Sequence, residues 1–110
     1  MKKYALIYRG GNVEEEMMEE SMKAWNDFIQ DLMTSGVQES GMPFEITGKV
    51  LRNGDITEYM DSPTSINGYT IIKAENLGDA VEIAKHAPTI NHGGFVEVRP
   101  IMAMDMDKAM

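Results

Sequence analysis

The chain has 110 residues, a length that fits one domain with a single apolar core and leaves no room for a second. Its 10 basic and 18 acidic residues give a net charge of −8, which argues against nucleic acid or an anionic membrane as a partner, since both need clustered positive charge. The sequence contains no cysteine, which excludes disulfides, thiol nucleophiles and thiolate metal sites.

The first element is a short apolar run, Tyr4 to Tyr8, closed by two glycines, and it predicts a buried strand. The run is too short for a signal-peptide core or a membrane span, so we expect a cytoplasmic protein. Asn12, with Glu15 three residues later, has the capping-box spacing of a helix start. Apolar residues then recur at steps of three and four and predict one helix face ending near Gly36: Met18, Met22, Trp25, Ile29 and Leu32.

The middle of the chain predicts four short strands. They are residues 37 to 41, 46 to 51, 56 to 59 and 69 to 74. The second and third flank Asn53 and Gly54, a pair that supplies the positive φ angles of a tight hairpin turn. Regular structure breaks at Pro63, before the fourth strand.

A second helix and a last strand complete the pattern. Asn76 precedes Asp79 at N-cap spacing, and Pro88 must stop the helix. The apolar stripe of this helix is Leu77, Ala80, Val81 and Ala84. The strand from Phe95 to Ile101 alternates, so that Val96 and Val98 point to one face, and Phe95, Glu97, Arg99 and Ile101 to the other.

The element order predicts a ferredoxin-like α+β fold, βαββαβ with an inserted β-hairpin. A weak repeat supports it, since residues 4 to 7 and Asn12 recur as residues 69 to 72 and Asn76. Both helices then lie on one face of the sheet. The other face is partly apolar, which predicts a homodimer formed across it. We expect one domain over residues 1–102 and a frayed tail over 103–110.

Three segments carry a resemblance to a known family. The first segment, in the opening strand, is Lys3-Tyr4-Ala5-Leu6-Ile7-Tyr8. The second follows the hairpin and is Asp61-Ser62-Pro63-Thr64. The third, in the last predicted strand, is Gly94-Phe95-Val96-Glu97-Val98-Arg99-Pro100-Ile101. They resemble the YCII-related proteins, specifically the D-G-P-F subgroup, although only the Asp and the Pro of that tetrapeptide are kept. The resemblance implies a ferredoxin-like protomer assembled as a dimeric α/β barrel.

The resemblance also bears on function. Other YCII-related proteins have a proposed active site with a His in the first helix and an Asp in a following loop. The corresponding helical position here is Trp25, and the first predicted helix contains no His. Some relatives of the subgroup are associated with sigma factors, so the resemblance implies regulation as one possible role.

His92 and Asp61 are the candidates for acid–base chemistry. His86 is assigned to the end of the second helix, where a cation favours the helix dipole. His92 lies in a loop of small residues that a ligand can approach closely, and imidazole titrates near neutral pH. Asp61 fits either an Asx-turn or a carboxylate partner that orients the His92 ring.

Tyr8, Trp25 and Tyr69 are the candidates for ligand binding. Trp25 fits either the core or the flat wall of a cavity, and Tyr8 and Tyr69 can deliver hydroxyls from neighbouring strands. We therefore expect a cavity between helices and sheet with His92 at its rim. Two functions stay open: a small-molecule-binding or regulatory dimer, or an enzyme of lyase, isomerase or cofactor-free oxygenase type using His92 and Asp61. We expect no metal and no cofactor, since two histidines with no cysteine and no helical His-x-x-x-His spacing are a weak metal signal.

Overall fold

The protein is described by a computed structural model over residues 1–103. The tail expected over 103–110 therefore lies outside the described residues, except for Ala103. The elements in chain order are β1 (Lys2–Arg9), a 3-10 turn (Glu15–Met17), α1 (Met18–Thr34), β2 (Gln38–Pro43), β3 (Lys49–Arg52), β4 (Asp55–Glu58), β5 (Ile66–Ala74), α2 (Leu77–Ala84), a second 3-10 turn (Pro88–His92) and β6 (Phe95–Pro100).

Four strands form one antiparallel sheet in the order β2-β5-β1-β6, and β3 and β4 form a separate hairpin. With the hairpin set aside, the two edge strands of the sheet are the second and the last, which is the strand order of the ferredoxin-like fold. The predicted fold class is confirmed. The hairpin turn is confirmed as well, because Asn53 and Gly54 have φ angles of 49° and 85°.

Alternation along the strands defines the two faces of the sheet. Tyr4, Leu6 and Tyr8 of β1 are buried beneath the helices. Opposite them in β5, Thr70 and Ile72 are fully buried on the same face. In β6 the predicted alternation is also confirmed, with the two valines paired to Leu6 and Tyr8.

The two helices pack at different distances from this face. The buried residues of α2 and its exit are small (Ala80, Ala84 and Ala87), and α2 lies close to β1, β5 and β6. The buried face of α1 instead carries Phe28 and Leu32, with Trp25 beside them. Because bulky side chains hold a helix farther from a sheet, space remains between α1 and the strands.

The start of α1 differs from the prediction. Asn12 does not cap the helix; its backbone N–H donates to the carbonyl of His92 at 3.0 Å, and a 3-10 turn after Glu14 leads into α1. The predicted stripe is also rotated, since Met18 and Met22 are 51% and 69% exposed. Phe28 is not part of the predicted stripe, but its large apolar side chain is buried. The buried face of α1 is therefore centred nearer to Phe28 than the predicted stripe.

The second helix follows its N-cap prediction. The side-chain oxygen of Asn76 accepts from the backbone N–H of Asp79 at 2.9 Å. Of the predicted stripe, Ala80 and Ala84 are buried, whereas Leu77 and Val81 lie at the exposed edge of the helix.

The opposite face of the sheet has no helix on it within the described part of the chain. Half-buried Ala5, Ile7 and Ile71 form its centre. Charged pairs surround them: Glu39 contacts Lys3 at 2.8 Å and Lys73 at 3.7 Å, and Arg9 contacts Glu97 at 2.5 Å. The hydrogen bond from Lys3 lowers the pKa of the Glu39 carboxyl below its usual value. We name this surface the open face.

Candidate functional site

A cavity of about 510 Å³ lies between α1 and the helix-side face of the sheet. Its walls are mostly apolar, with Trp25 and Ile29 from α1 and Val13 from the loop before it. Glycines form part of its floor, which keeps side chains out of the space. No Asp, Glu, Lys or Arg lines the cavity among the residues that the structure describes. The cavity expected from the sequence is therefore present.

Tyr8 provides a buried polar group on the floor. Its hydroxyl donates to Thr70 Oγ1 at 2.6 Å, and both side chains are at most 5% exposed. Burial raises the pKa of Tyr8 to about 12, although the hydrogen bond with Thr70 acts in the opposite direction. The phenol is therefore neutral at physiological pH.

Trp25 forms an aromatic wall with Tyr8. The two ring centroids are 4.9 Å apart and the ring planes meet at 80°, an edge-to-face contact. Phe28 supports Trp25 from the core in a second edge-to-face contact, with centroids 5.9 Å apart. The predicted wall residue thus belongs to the core and to the cavity at once.

Gln38 is a cavity residue that the sequence did not reveal. Its Oε1 atom is buried and has no hydrogen-bond partner among the described residues. A β-bulge between Gln38 and Ser40 explains its position. Residues 38 and 41 would otherwise point to opposite faces, but the bulge places both on the helix side. No local pattern in the sequence predicts this bulge.

Tyr69 of β5 also lines the cavity. It pairs with Ile7, one position out of phase with Tyr8, and its ring centroid is 5.8 Å from that of Phe44. Strand alternation places the Tyr69 side chain out of phase with that of Tyr8, and the delivery of both hydroxyls into one cavity stays a prediction. Tyr8 and Tyr69 lie on neighbouring strands, as predicted. The strand register determines the face of the sheet on which each side chain lies.

His92 ends the second 3-10 turn and lines the rim of the cavity. The loop after it lies close to β1: a Cβ atom on Gly94 would be 2.6 Å from the carbonyl oxygen of Arg9 and 2.5 Å from Thr89 Cγ2. Only glycine fits there. Together with the hydrogen bond from Asn12, this close approach fixes the half-buried His92 at the rim.

Asp61 lines a second, more open cavity of about 590 Å³, not the first. His92 lines this second cavity too, so it lies where the two cavities adjoin. The loop carrying Asp61 is held against the end of β1 by hydrogen bonds from Arg9 Nε to the Thr64 carbonyl at 2.7 Å and from the Gly10 N–H to the Ser65 carbonyl at 3.0 Å. Asp61 itself is exposed and contacts the Tyr59 hydroxyl at 3.5 Å.

The structure thus brings the five predicted residues to one end of the sheet but divides them. Tyr8, Trp25, Tyr69 and His92 line the first cavity, and His92 and Asp61 line the second. Over residues 1–103 no three His, Asp or Glu side chains are grouped as a metal site would require. No helix in the same residues is long and apolar enough to cross a membrane.

Comparison with known proteins supports the fold alone. No known protein family matches the sequence, and no curated protein matches it. Among solved structures, 5-chloro-2-hydroxyhydroquinone dehydrochlorinase from Burkholderia phenoliruptrix, in complex with 2,5-dihydroxybenzoquinone, is similar with a TM-score of 0.53. The two chains are 16% identical, and the match covers 92% of this chain and 93% of that one.

Proposed function

We propose that this chain binds a small molecule in the cavity between α1 and the sheet, as a homodimeric binding or regulatory protein related to the YCII-related, D-G-P-F subgroup. The observation that carries the proposal is the cavity itself. Its volume of about 510 Å³ falls within the range of ligand sites, roughly 300 to 1,000 Å³. Apolar walls with a few fixed polar groups are typical of such sites.

The lack of a histidine in α1 supports binding over catalysis. The space opposite the sheet is occupied there by Trp25, an aromatic group that contributes contact area and no proton transfer. Of the described groups lining the cavity, Tyr8 is held neutral, which leaves the His92 imidazole as the candidate for proton transfer.

Trp25 makes the binding proposal testable, because it is the only tryptophan in the chain. We expect ligands from a library of small aromatic and heteroaromatic compounds to change its fluorescence. Val13→Phe fills the rim of the cavity and should abolish these responses. Val81→Phe places the same change on the exposed edge of α2 and should preserve them. Equal responses in both variants would contradict the proposal.

A second function is favoured by one observation, the shared cavity of His92 and Asp61. In this function the carboxylate orients the imidazole, which exchanges a proton with a substrate reaching the rim from the first cavity. A dehydrochlorinase has a similar fold, so the architecture is compatible with small-molecule chemistry, as an analogy only. Such an enzyme requires that Asp61 alter the reactivity of His92.

A further inference from the structure

The charge of the cavity lining restricts the ligand. No Asp, Glu, Lys or Arg lines the cavity among the residues that the structure describes, and burial keeps the phenol of Tyr8 neutral. A carboxylate, phosphate or ammonium group placed between α1 and the sheet would therefore lose its hydration without gaining a charged partner. The interior of the cavity fits an uncharged group.

Several polar side chains of the lining already have partners or are out of reach. The Tyr8 hydroxyl donates to Thr70 Oγ1 at 2.6 Å, and the side-chain amide of Asn67 donates to the Gly10 carbonyl at 2.7 Å. Gln38 Oε1 is enclosed by protein atoms, so a ligand in the cavity does not reach it. These groups offer a ligand little new hydrogen bonding. The interior therefore favours a ligand body that is apolar as well as uncharged.

His92 differs from these side chains in its position. It is half-buried and lines both cavities, so it lies where the interior of the first meets the more open second. A neutral imidazole offers one N–H donor and one acceptor nitrogen. A polar group of a ligand at this rim is able to bond with His92 and to keep contact with water through the second cavity. The rim is therefore the place where a ligand loses least by carrying a polar group.

The net charge of the molecule favours a different ligand. The chain carries a charge of −8, which attracts cations over a distance. Asp61 adds a negative charge in the second cavity, on the outer side of the rim. A preference for a neutral ligand over a matched cation would therefore arise from the cavity lining and not from the overall charge.

We propose that the first cavity binds an uncharged, largely apolar molecule whose hydrogen-bonding group lies at the rim against the His92 side chain. This inference rests on the proposed function of the cavity and adds the ligand class, the orientation of the ligand and a binding residue. Trp25 contacts the apolar body, and His92 contacts the polar end.

The ligand class is tested with four probes that share one ring system and differ in one substituent: 2-methylnaphthalene, 2-naphthalenemethanol, 2-naphthylmethylammonium and 2-naphthoate. Affinities for the full-length protein at neutral pH are measured by ligand-observed NMR. We expect 2-naphthalenemethanol to bind about tenfold or more tightly than either ion, because each ion must give up its hydration. The comparison with the ammonium probe is decisive, since the net charge acts in its favour.

His92→Leu tests the orientation. It should weaken the binding of 2-naphthalenemethanol about fivefold, the effect of one hydrogen bond, and leave that of 2-methylnaphthalene within about twofold. His86→Leu makes the same change at an exposed position and should alter neither affinity. If His92→Leu does not fold, nuclear Overhauser contacts in the wild type serve instead. The hydroxymethyl protons should contact the ring protons of His92 and not those of His86.

Two results would overturn the inference. One is binding of either ion at least as tight as that of 2-naphthalenemethanol. The other is an affinity for 2-naphthalenemethanol that His92→Leu leaves unchanged or, where that variant does not fold, hydroxymethyl protons without contacts to His92. Either leaves the proposed function intact, provided that Val13→Phe abolishes binding. If none of the probes binds, or if Val13→Phe has no effect on their binding, the inference and the proposed function both fail.

Discussion

At the residue scale, Tyr8 illustrates how one side chain serves both stability and the site. Its ring is buried beneath the helices and contacts Trp25 edge to face. Its hydroxyl donates a hydrogen bond to Thr70 Oγ1. The pair of hydroxyls satisfies two polar groups that would otherwise be buried unpaired. Because the phenol is buried, its ionisation at alkaline pH is opposed by folding.

We expect Tyr8 to make the protein less stable as the pH rises above 10. The unfolded chain releases the tyrosine proton near pH 10, but the folded chain holds it to about pH 12. Stability from this residue is therefore complete below pH 10 and is lost between pH 10 and about pH 12, at about 1.4 kcal/mol per pH unit.

Urea unfolding of the wild type and Tyr8→Phe across this range measures the effect. The pH dependence of the free energy of unfolding should be shallower in Tyr8→Phe, since phenylalanine has no proton to lose. Identical slopes in the two proteins would show that Tyr8 is not protected from ionisation.

We predict that Asp61→Asn slows the modification of His92 by diethyl pyrocarbonate, if the two side chains act as a pair. A carboxylate that accepts from one imidazole nitrogen makes the other more nucleophilic, and an amide does so less. The sequence has two histidines, so exposed His86 serves as an internal control in the same sample. Mass spectrometry of the modified peptides gives both rates.

The rate at His86 should stay constant in this experiment. An unchanged rate at His92 would remove the basis of the enzymatic alternative, because the shared cavity would then hold two independent side chains. The binding proposal does not depend on the result.

At the scale of elements, the contrast between the two helices creates the cavity. Alanines let α2 lie against three strands, whereas aromatic side chains hold α1 away from them. Two helices with equally small faces would close the space over the sheet. The site is therefore a consequence of side-chain volume at two helix faces.

We predict that Ala80→Leu destabilises the protein by about 1 to 3 kcal/mol, the usual cost of overpacking a tight interface. Ala80 is fully buried, so the added methyl groups must push α2 away from the sheet. Val81→Leu adds volume on the exposed edge of the same helix and should change stability by less than about 0.5 kcal/mol. Denaturant unfolding distinguishes the two, and equal stabilities would contradict the tight packing of α2.

At the scale of the whole molecule, two surfaces expose apolar side chains that contact with a second protein molecule would bury. The open face has an apolar centre, and the hairpin presents Leu51 and Ile56, paired side by side and 73% and 67% exposed. The molecule is only 19 Å thick, one sheet with one layer of helices. An isolated two-stranded hairpin is marginally stable in water, so contact with a second copy would stabilise it.

We predict a homodimer in solution, formed through the open face. Ile71 lies at its centre, and Ile71→Lys places a charge there. Light scattering on a sizing column should give a dimer mass for the wild type at micromolar concentration and a monomer mass for Ile71→Lys. Val81→Lys, on the helix side, should remain dimeric; a monomeric wild type would refute the assembly.

The sequence by itself determined the element order, both hairpin turn residues, the cap at Asn76 and the alternation of the last strand. These features depend on local chemistry: φ angles that glycine and asparagine tolerate, a side chain that reaches a nearby N–H, and a period of two. Local rules failed at the start of α1, where the Asn12 N–H bonds to a residue distant in sequence. The likeness of the opening and closing strands to a family also pointed to the observed fold.

Only the tertiary structure decided which side chains meet. A single bulge in β2 brought Gln38 into the lining of the cavity beside Tyr8. Loop packing placed His92 between two cavities and Asp61 in only one of them. A shift of one residue reverses the face of a strand side chain, and nothing in the local sequence fixes that shift; it is set by the summed packing of strands, helices and loops.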